Sequence, residues 1–271
     1  MDRLETGTWQ VPSSTVQDFF PRGTKYCVCI PVMNEGERIK QQLSEMKKLT
    51  DQVDIILCDG GSTDGSMNRK YLATTGVRTL LTKTSPGKLS AQLRMGYAYA
   101  LQQGYEGIIT IDGNGKDGVD AIPDFVRELD SGWDFIQGSR FVSGGKAINT
   151  PKIRWFAVRF IHAPLLSLGA HHWFTDTTNG FRGYSRKLLL DERVQPFRDV
   201  FNTYELLAYL TIRAPRLTYK TKEIGVTRVY PAKGKVPTKI SHFHGNIGLI
   251  KIIFKTLVGG YNPKIQNSRS A

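Results

Sequence analysis

Five short apolar runs recur along the first half of the chain, and helix-spaced segments alternate with them. KYCVCIPV (25–32), VDIILCD (53–59), VRTLL (77–81), EGIITID (106–112) and WDFIQG (133–138) are bounded by turn residues, as buried strands are. Between them, 35–49 places Ile39, Leu43, Met46 and Leu49 on one helical face. Segment 88–103 does the same with Leu89, Leu93, Tyr97 and Leu101, and 121–129 carries Pro123 in its first turn. A further helix follows the GGSTDGS loop (60–66), where Thr63 or Asp64 can cap it. An alternating β-α order implies an α/β fold: a mostly parallel sheet, helices on both faces, right-handed crossovers.

The pattern changes after Gly138. A loop (139–150) leads to a basic, aromatic helix at 152–169 and then to mixed short elements. The expected organisation is an N-terminal extension at 1–24, a catalytic-type α/β domain at 25–235, and a basic C-terminal helix and tail at 236–271. No signal peptide is visible. Phe160–Thr175, the longest uncharged stretch of apolar character, is 16 residues long and broken by Pro164, short of the ~20 that a spanning helix needs. Cys27, Cys29 and Cys58 form no disulfide framework and read as small buried hydrophobes of a reducing compartment.

Net charge is +13, and its placement matters more than its size. From Arg213 to Ala271 there are twelve Lys and Arg against one acid, Glu223, which leaves +2 for everything before. A basic tail on a nearly neutral body suggests a phosphate-rich partner. Nucleic acid would rest on charge alone, since no recognition motif is present. A dinucleotide fingerprint, a P-loop, a zinc spacing and a nucleophile elbow are all missing.

Ligands of open parallel sheets sit beyond the carboxyl ends of the strands. Those ends carry Pro31, Asn34 and Glu35; then Asp59 and Gly60-Gly61-Ser62-Thr63-Asp64; then Asp112-Gly113-Asn114-Gly115-Lys116-Asp117; then Gly138-Ser139-Arg140. Each has an ordinary structural explanation. Asn34 with Glu37 could cap a helix, and Asp59 and Asp112-Gly-Asn-Gly could simply turn the chain. Their gathering at one edge is what points to a site.

The segments IPVMNEGERI (30–39), DIILCDGGSTDGS (54–66), PGKLSAQLRMGYAYA (86–100), TIDGNGKDGVDAIP (110–123), GSRFVSGG (138–145) and DTTNGFRGYSRKLL (176–189) resemble, in order, the inverting family-2 glycosyltransferases of the GT-A fold. The branch they resemble transfers mannose or glucose to polyprenyl (dolichyl) phosphate. The resemblance implies a hexosyltransferase that takes a GDP- or UDP-hexose donor and a polyprenyl phosphate or glycan acceptor. Pro31, Asn34, Glu35, Asp59 and Lys88 would border the nucleotide. Asp112 with Asn114 would hold Mg2+ or Mn2+ on the donor's two phosphates. Arg140, Arg154, Arg228 and Lys239 would contact phosphate, Asp176 would lie by the acceptor, and Glu205 would be the general base if the acceptor is a hydroxyl. The catalytic set is then Asp112, Arg140 and Glu205.

The motif departs from the family's Asp-x-Asp at Asn114, and Lys116 stands two residues further on. Either metal affinity is weaker, or Lys116 does part of the cation's work, or Asp117 substitutes as a ligand. His242 and His244 are weaker ligand candidates. The same departure leaves a rival reading open: a catalytically silent carbohydrate- or lipid-binding relative. The loop RVYPAKGKVPTKIS (228–241) could close over phosphates. Lys251 and Lys255 share a face in 247–261 beside Ile247, Ile250, Phe254 and Leu257, so this helix and 152–169 could rest on an anionic membrane. The expected location is the cytoplasm, peripheral at the cytoplasmic face of the membrane.

Overall fold

The structure, a computed structural model, describes residues 6–232 and 244–264. Its centre is an eight-stranded mixed sheet built from β1 (Ser14–Asp18), β2 (Tyr26–Val32), β3 (Val53–Asp59), β4 (Val77–Lys83), β5 (Gly107–Thr110), β6 (Phe135–Ser139), β8 (Arg182–Ser185) and β9 (Thr221–Gly225). Across the sheet the order is β1-β4-β3-β2-β5-β8-β6-β9. Strands β4, β3, β2 and β5 run parallel, as the alternating pattern predicts. β8 lies antiparallel between β5 and β6, and β9 pairs parallel with β6. A separate two-stranded parallel ribbon joins β7 (Lys146–Ile148) to β10 (Thr227–Val229).

Because successive strand residues face opposite sides, one strand serves two cores. Cys27, Cys29, Ile56 and Cys58 face a core shared with residues of α3 (Leu89–Gln102), α6 (Ala163–Ala170) and α8 (Glu205–Arg216). Val28, Ile30, Ile55 and Leu57 face the other, with Ile39 and Leu43 of α1 (Glu37–Met46) and Phe125 of α4 (Ile122–Asp130). Gly96 lets α3 lie close on the sheet: a Cβ there would fall 2.3 Å from the Cys58 Sγ. Cys29 and Cys58 are buried thiols whose pKa is pushed up, for Cys29 mainly by burial and for Cys58 first by its hydrogen bond to Cys29.

Three elements differ from the sequence reading. Residues 14–18, expected as extended lead-in, form β1, the antiparallel edge strand on β4, and Trp9 stacks on Phe197 at 4.0 Å. The helix expected at 152–169 is α5 (Lys152–Ala157), a π-helical segment at Val158–His162, and then α6. The helix after the GGSTDGS loop is only α2 (Arg69–Leu72), and Asn68 caps it, not Thr63 or Asp64. α7 (Arg186–Leu190) follows β8, and α9 (His244–Leu257) packs against α6 and α8. No helix among the described residues is long and apolar enough to cross a membrane.

Candidate active site at the carboxyl edge of the sheet

The loops after β2 and β3 are laced together. Asn34, in the left-handed region at φ 51°, receives the Thr63 N–H on its Oδ1 at 2.7 Å, and its own N–H donates to Ser62 Oγ at 2.9 Å. Asp59, buried at the end of β3, accepts from the Ser62 hydroxyl at 2.6 Å and the Ser62 N–H at 2.9 Å. Asp64 receives the Gly36 N–H at 2.8 Å. Asn34 therefore does not cap α1: its N-cap is Gly36, with no side-chain cap bond. Gln92 on α3 is a brace the sequence reading did not single out. Its amide donates to the carbonyls of Val32 and Cys58 at 2.7 and 2.8 Å, fixing both strand ends. Pro31 is buried within β2, Glu35 pairs with Arg38 at 2.9 Å, and exposed Lys88 precedes α3 with its ammonium 6.0 Å from the Tyr204 ring.

β5 ends at Thr110, so Asp112 is the second residue of the loop beyond the strand. Asp112 pairs with Arg228 at 3.1 Å and also receives the Asn114 side-chain N–H at 3.3 Å. Arg228 bonds the fully buried Asp117 as well. The backbone supports this grip: Val229 N–H donates to the Lys116 carbonyl at 2.8 Å, and Gly118 N–H to the Thr227 carbonyl at 2.9 Å. Burial pulls the Arg228 pKa down, but Asp117 and Asp112 outweigh it and the net shift is upward. For Asp117 burial wins over Arg228, and its pKa rises.

Tyr230, two residues past Arg228, gathers the remaining cations. The Lys116 ammonium lies 5.4 Å from its ring centre, the Arg154 guanidinium 5.7 Å and that of Arg228 5.8 Å. Arg154 also reaches the Tyr230 hydroxyl at 3.3 Å. Burial alone would raise the Tyr230 pKa, yet Arg228, Arg154 and Arg140 bring it below the ordinary tyrosine value. Burial, then Arg228, lowers that of Lys116. Asn114, Lys116 and Tyr230 line an opening of about 340 Å3 that extends over Arg38 and Asn149.

Arg140 is close enough to this cluster to act on Tyr230, but its own side-chain bonds go elsewhere. Its guanidinium grips Asp176 with two bonds, at 2.6 and 2.8 Å, and both side chains are buried. A third bond goes to Thr178. Arg140, expected at phosphate, and Asp176, expected by the acceptor, thus satisfy each other's charge here. Glu205 opens α8 with its two oxygens taken by the Thr203 N–H at 2.7 Å and the Thr203 hydroxyl at 2.5 Å. That is the posture of a helix-start acid. Lys239 and His242 lie outside the described residues, and so does the greater part of the expected 228–241 loop.

Among the described residues, no group of three or more His, Cys, Asp or Glu assembles as a metal-ligand set. Asp112 still fits a cation of the Mg2+ type, which usually takes one or two carboxylates and completes its shell with substrate phosphates and water. The carboxylate is 24% exposed, and a Cβ at Gly180 would fall 2.5 Å from its Oδ1, so the glycine keeps that oxygen clear of a side chain. Asn114 fits less well. Its Oδ1 accepts the Lys116 N–H at 3.2 Å and is held as a turn brace.

The family model Glycosyl transferase family 2 matches residues 27–191, well over half the chain. The chain belongs to glycosyl transferase family 2. It is thus a glycosyltransferase, and the edge just described lies where such a sheet receives its ligand. Two curated relatives are each 26% identical to it. Polyprenol monophosphomannose synthase of Mycolicibacterium smegmatis aligns over 217 residues, 74% of this chain and 80% of the relative. Undecaprenyl-phosphate mannosyltransferase of Micrococcus luteus aligns over 207 residues, 74% and 82%. Among solved structures, glucosyl-3-phosphoglycerate synthase from Mycobacterium tuberculosis, in complex with Mn2+, UDP and glucosyl-3-phosphoglycerate, superposes with a TM-score of 0.61 at 17% identity, covering 88% of this chain and 80% of that one. This likeness establishes the GT-A architecture of the glycosyltransferase.

Proposed function

We propose that this glycosyltransferase moves a hexose, with inversion, from a GDP- or UDP-hexose to a polyprenyl phosphate at an anionic membrane surface. The observation that carries the reading is the gathering of Lys116, Arg154 and Arg228 around Tyr230 at the carboxyl edge, with Asp112 held by Arg228. The two mannosyltransferase relatives point the acceptor toward lipid phosphate. In the transfer, an acceptor oxygen attacks the anomeric carbon from the face opposite the nucleotide. The bond from that carbon to the diphosphate oxygen breaks, and the electron pair leaves with the nucleoside diphosphate. A phosphate acceptor is already ionised, so no residue has to remove a proton, consistent with Glu205 being tied to Thr203.

Arg154 and Lys116 present fixed positive charge to the leaving diphosphate, and such preorganised charge is effective because it does not have to rearrange as the bond breaks. Arg228 orients Asp112, and Asn34, Ser62 and Asp59 shape the nucleotide side of the cleft. Asp112, with Asn114 if its turn bond is released, would hold a Mg2+ or Mn2+, which supplies Lewis-acid stabilisation to the departing phosphates.

Exposed apolar side chains mark the membrane-facing part of the reading. Ile153, Phe156, Phe160 and Leu168 stand out from α5 to α6, and Ile250 and Phe254 from α9 with Val258 just beyond it. Lys152, Arg159, Lys251 and Lys255 accompany them. Aromatic and aliphatic side chains beside Lys and Arg suit an interfacial surface. The test is a panel of GDP-mannose, UDP-glucose and related donors offered with polyprenyl phosphate in vesicles, with lipid-extractable sugar as the readout. Transfer from one donor supports the reading, and absence of any transfer by folded protein refutes it.

A further inference from the structure

We infer that Lys116 is a resident counter-cation for the donor diphosphate, so that a nucleoside diphosphate binds this edge without any divalent ion. The inference rests on the proposed donor reading and deepens it.

The loop after β5 reads Asp112-Gly-Asn114-Gly-Lys116. Two carboxylates at such a place would repel a diphosphate until a divalent ion neutralised them. Here the second position is a neutral amide, and a Lys follows. One carboxylate and one ammonium make the segment self-neutral before a metal or donor arrives. Asp112 is moreover already engaged by Arg228 at 3.1 Å.

Lys116 is a braced cation at the rim of this edge. Its backbone is fixed from both sides, the N–H by Asn114 at 3.2 Å and the carbonyl by Val229 N–H at 2.8 Å. Its ammonium sits over the Tyr230 ring at 5.4 Å and the residue lines the 340 Å3 opening, with Arg154 on the same ring at 5.7 Å. A side chain so restrained loses little freedom when an anion arrives, and a buried charge is screened little by salt. Asn114 adds to the effect: as a turn brace it is a poor standing ligand, so a divalent ion has little purchase until phosphates complete its shell.

The experiment is calorimetric titration of UDP and GDP into the full-length protein, in EDTA and in excess MgCl2, for wild type, Lys116→Gln and Lys116→Arg. Circular dichroism confirms that each variant is folded. Wild type should bind at least one nucleotide in EDTA within about tenfold of its affinity in Mg2+. Lys116→Gln should lose about tenfold or more in EDTA and recover most of it in Mg2+, while Lys116→Arg keeps metal-free binding. Wild-type binding that strictly requires Mg2+, or an equal affinity of Lys116→Gln in EDTA, would overturn the inference and leave the donor reading standing. If neither nucleotide binds under either condition, the donor reading itself fails and the inference with it.

Discussion

Single residues decide whether the edge of the sheet is stable as well as reactive. His162, in the π-helical segment, shares a 2.6 Å hydrogen bond with Thr177, and its pKa is pulled down to about 4 by burial and by the nearby Arg182. The folded protein thus keeps this imidazole neutral where the unfolded chain, near 6.5, begins to take up a proton. Its contribution is present above about pH 6.5 and is lost as pH falls from there toward 4, because the unfolded state then binds more protons. The loss is at most roughly 3 kcal/mol. Urea unfolding at pH 5 and 7.5 should show this slope, and His162→Gln should flatten it; an unchanged slope would assign the pH dependence elsewhere. The Arg140–Asp176 pair makes a second residue-scale prediction. Arg140→Met strands a buried carboxylate and should cost about 3–5 kcal/mol, with much of that recovered in Arg140→Met/Asp176→Leu. A single variant losing under about 1 kcal/mol would show that the pair is not the structural post described. At this scale the sequence could show which residue types collect at strand ends. It could not show that Arg140 would spend its fork on Asp176, since 36 residues separate them and only the sheet brings them together. Tyr230 was visible as a neighbour of Arg228, but an aromatic next to an arginine has no signature until Lys116 and Arg154 are seen over its ring.

Elements were legible where one periodicity dominated. β2 and β3 fall within a residue of their apolar runs, and α3 matches its stripe, because burial on one or both faces leaves an unmistakable pattern. β8 was hidden: RGYS is four residues long, antiparallel, and opens with a charged residue that is nonetheless buried. β1 was hidden for the opposite reason, since STVQD at an exposed edge needs no apolar run. α9 shows how one apolar stripe can serve two faces. Ile253 and Thr256 face inward, whereas Ile250 and Phe254, read as part of one apolar stripe, stand in solvent with Val258. That outward face, with the one on α5 to α6, leads to a prediction at the element scale. Phe156→Ser/Phe160→Ser and Phe254→Ser should each reduce sedimentation with phosphatidylglycerol vesicles severalfold, leaving UDP and GDP affinity unchanged. Lys251→Ala/Lys255→Ala should weaken it further at low salt, by about 1 kcal/mol per lysine removed. Equal sedimentation of all variants would detach these helices from the membrane.

Across the whole molecule, charge and topology tell one story. The twelve basic residues after position 212 are not a uniform coat: Arg228 is buried between two carboxylates, while Lys251 and Lys255 are exposed on α9. The parallel half of the sheet delivers the loops after β2, β3 and β5 to one edge, and the later part of the chain returns through β10 to place Arg228 and Tyr230 against the third of them. We propose that this edge transfers a hexose to lipid phosphate. The most direct test is the rate of sugar transfer to polyprenyl phosphate in vesicles, measured side by side for wild type and Asp112→Asn. Wild type should transfer the sugar, and the variant should lose about a hundredfold or more with folding intact. Equal rates in the two proteins would contradict it.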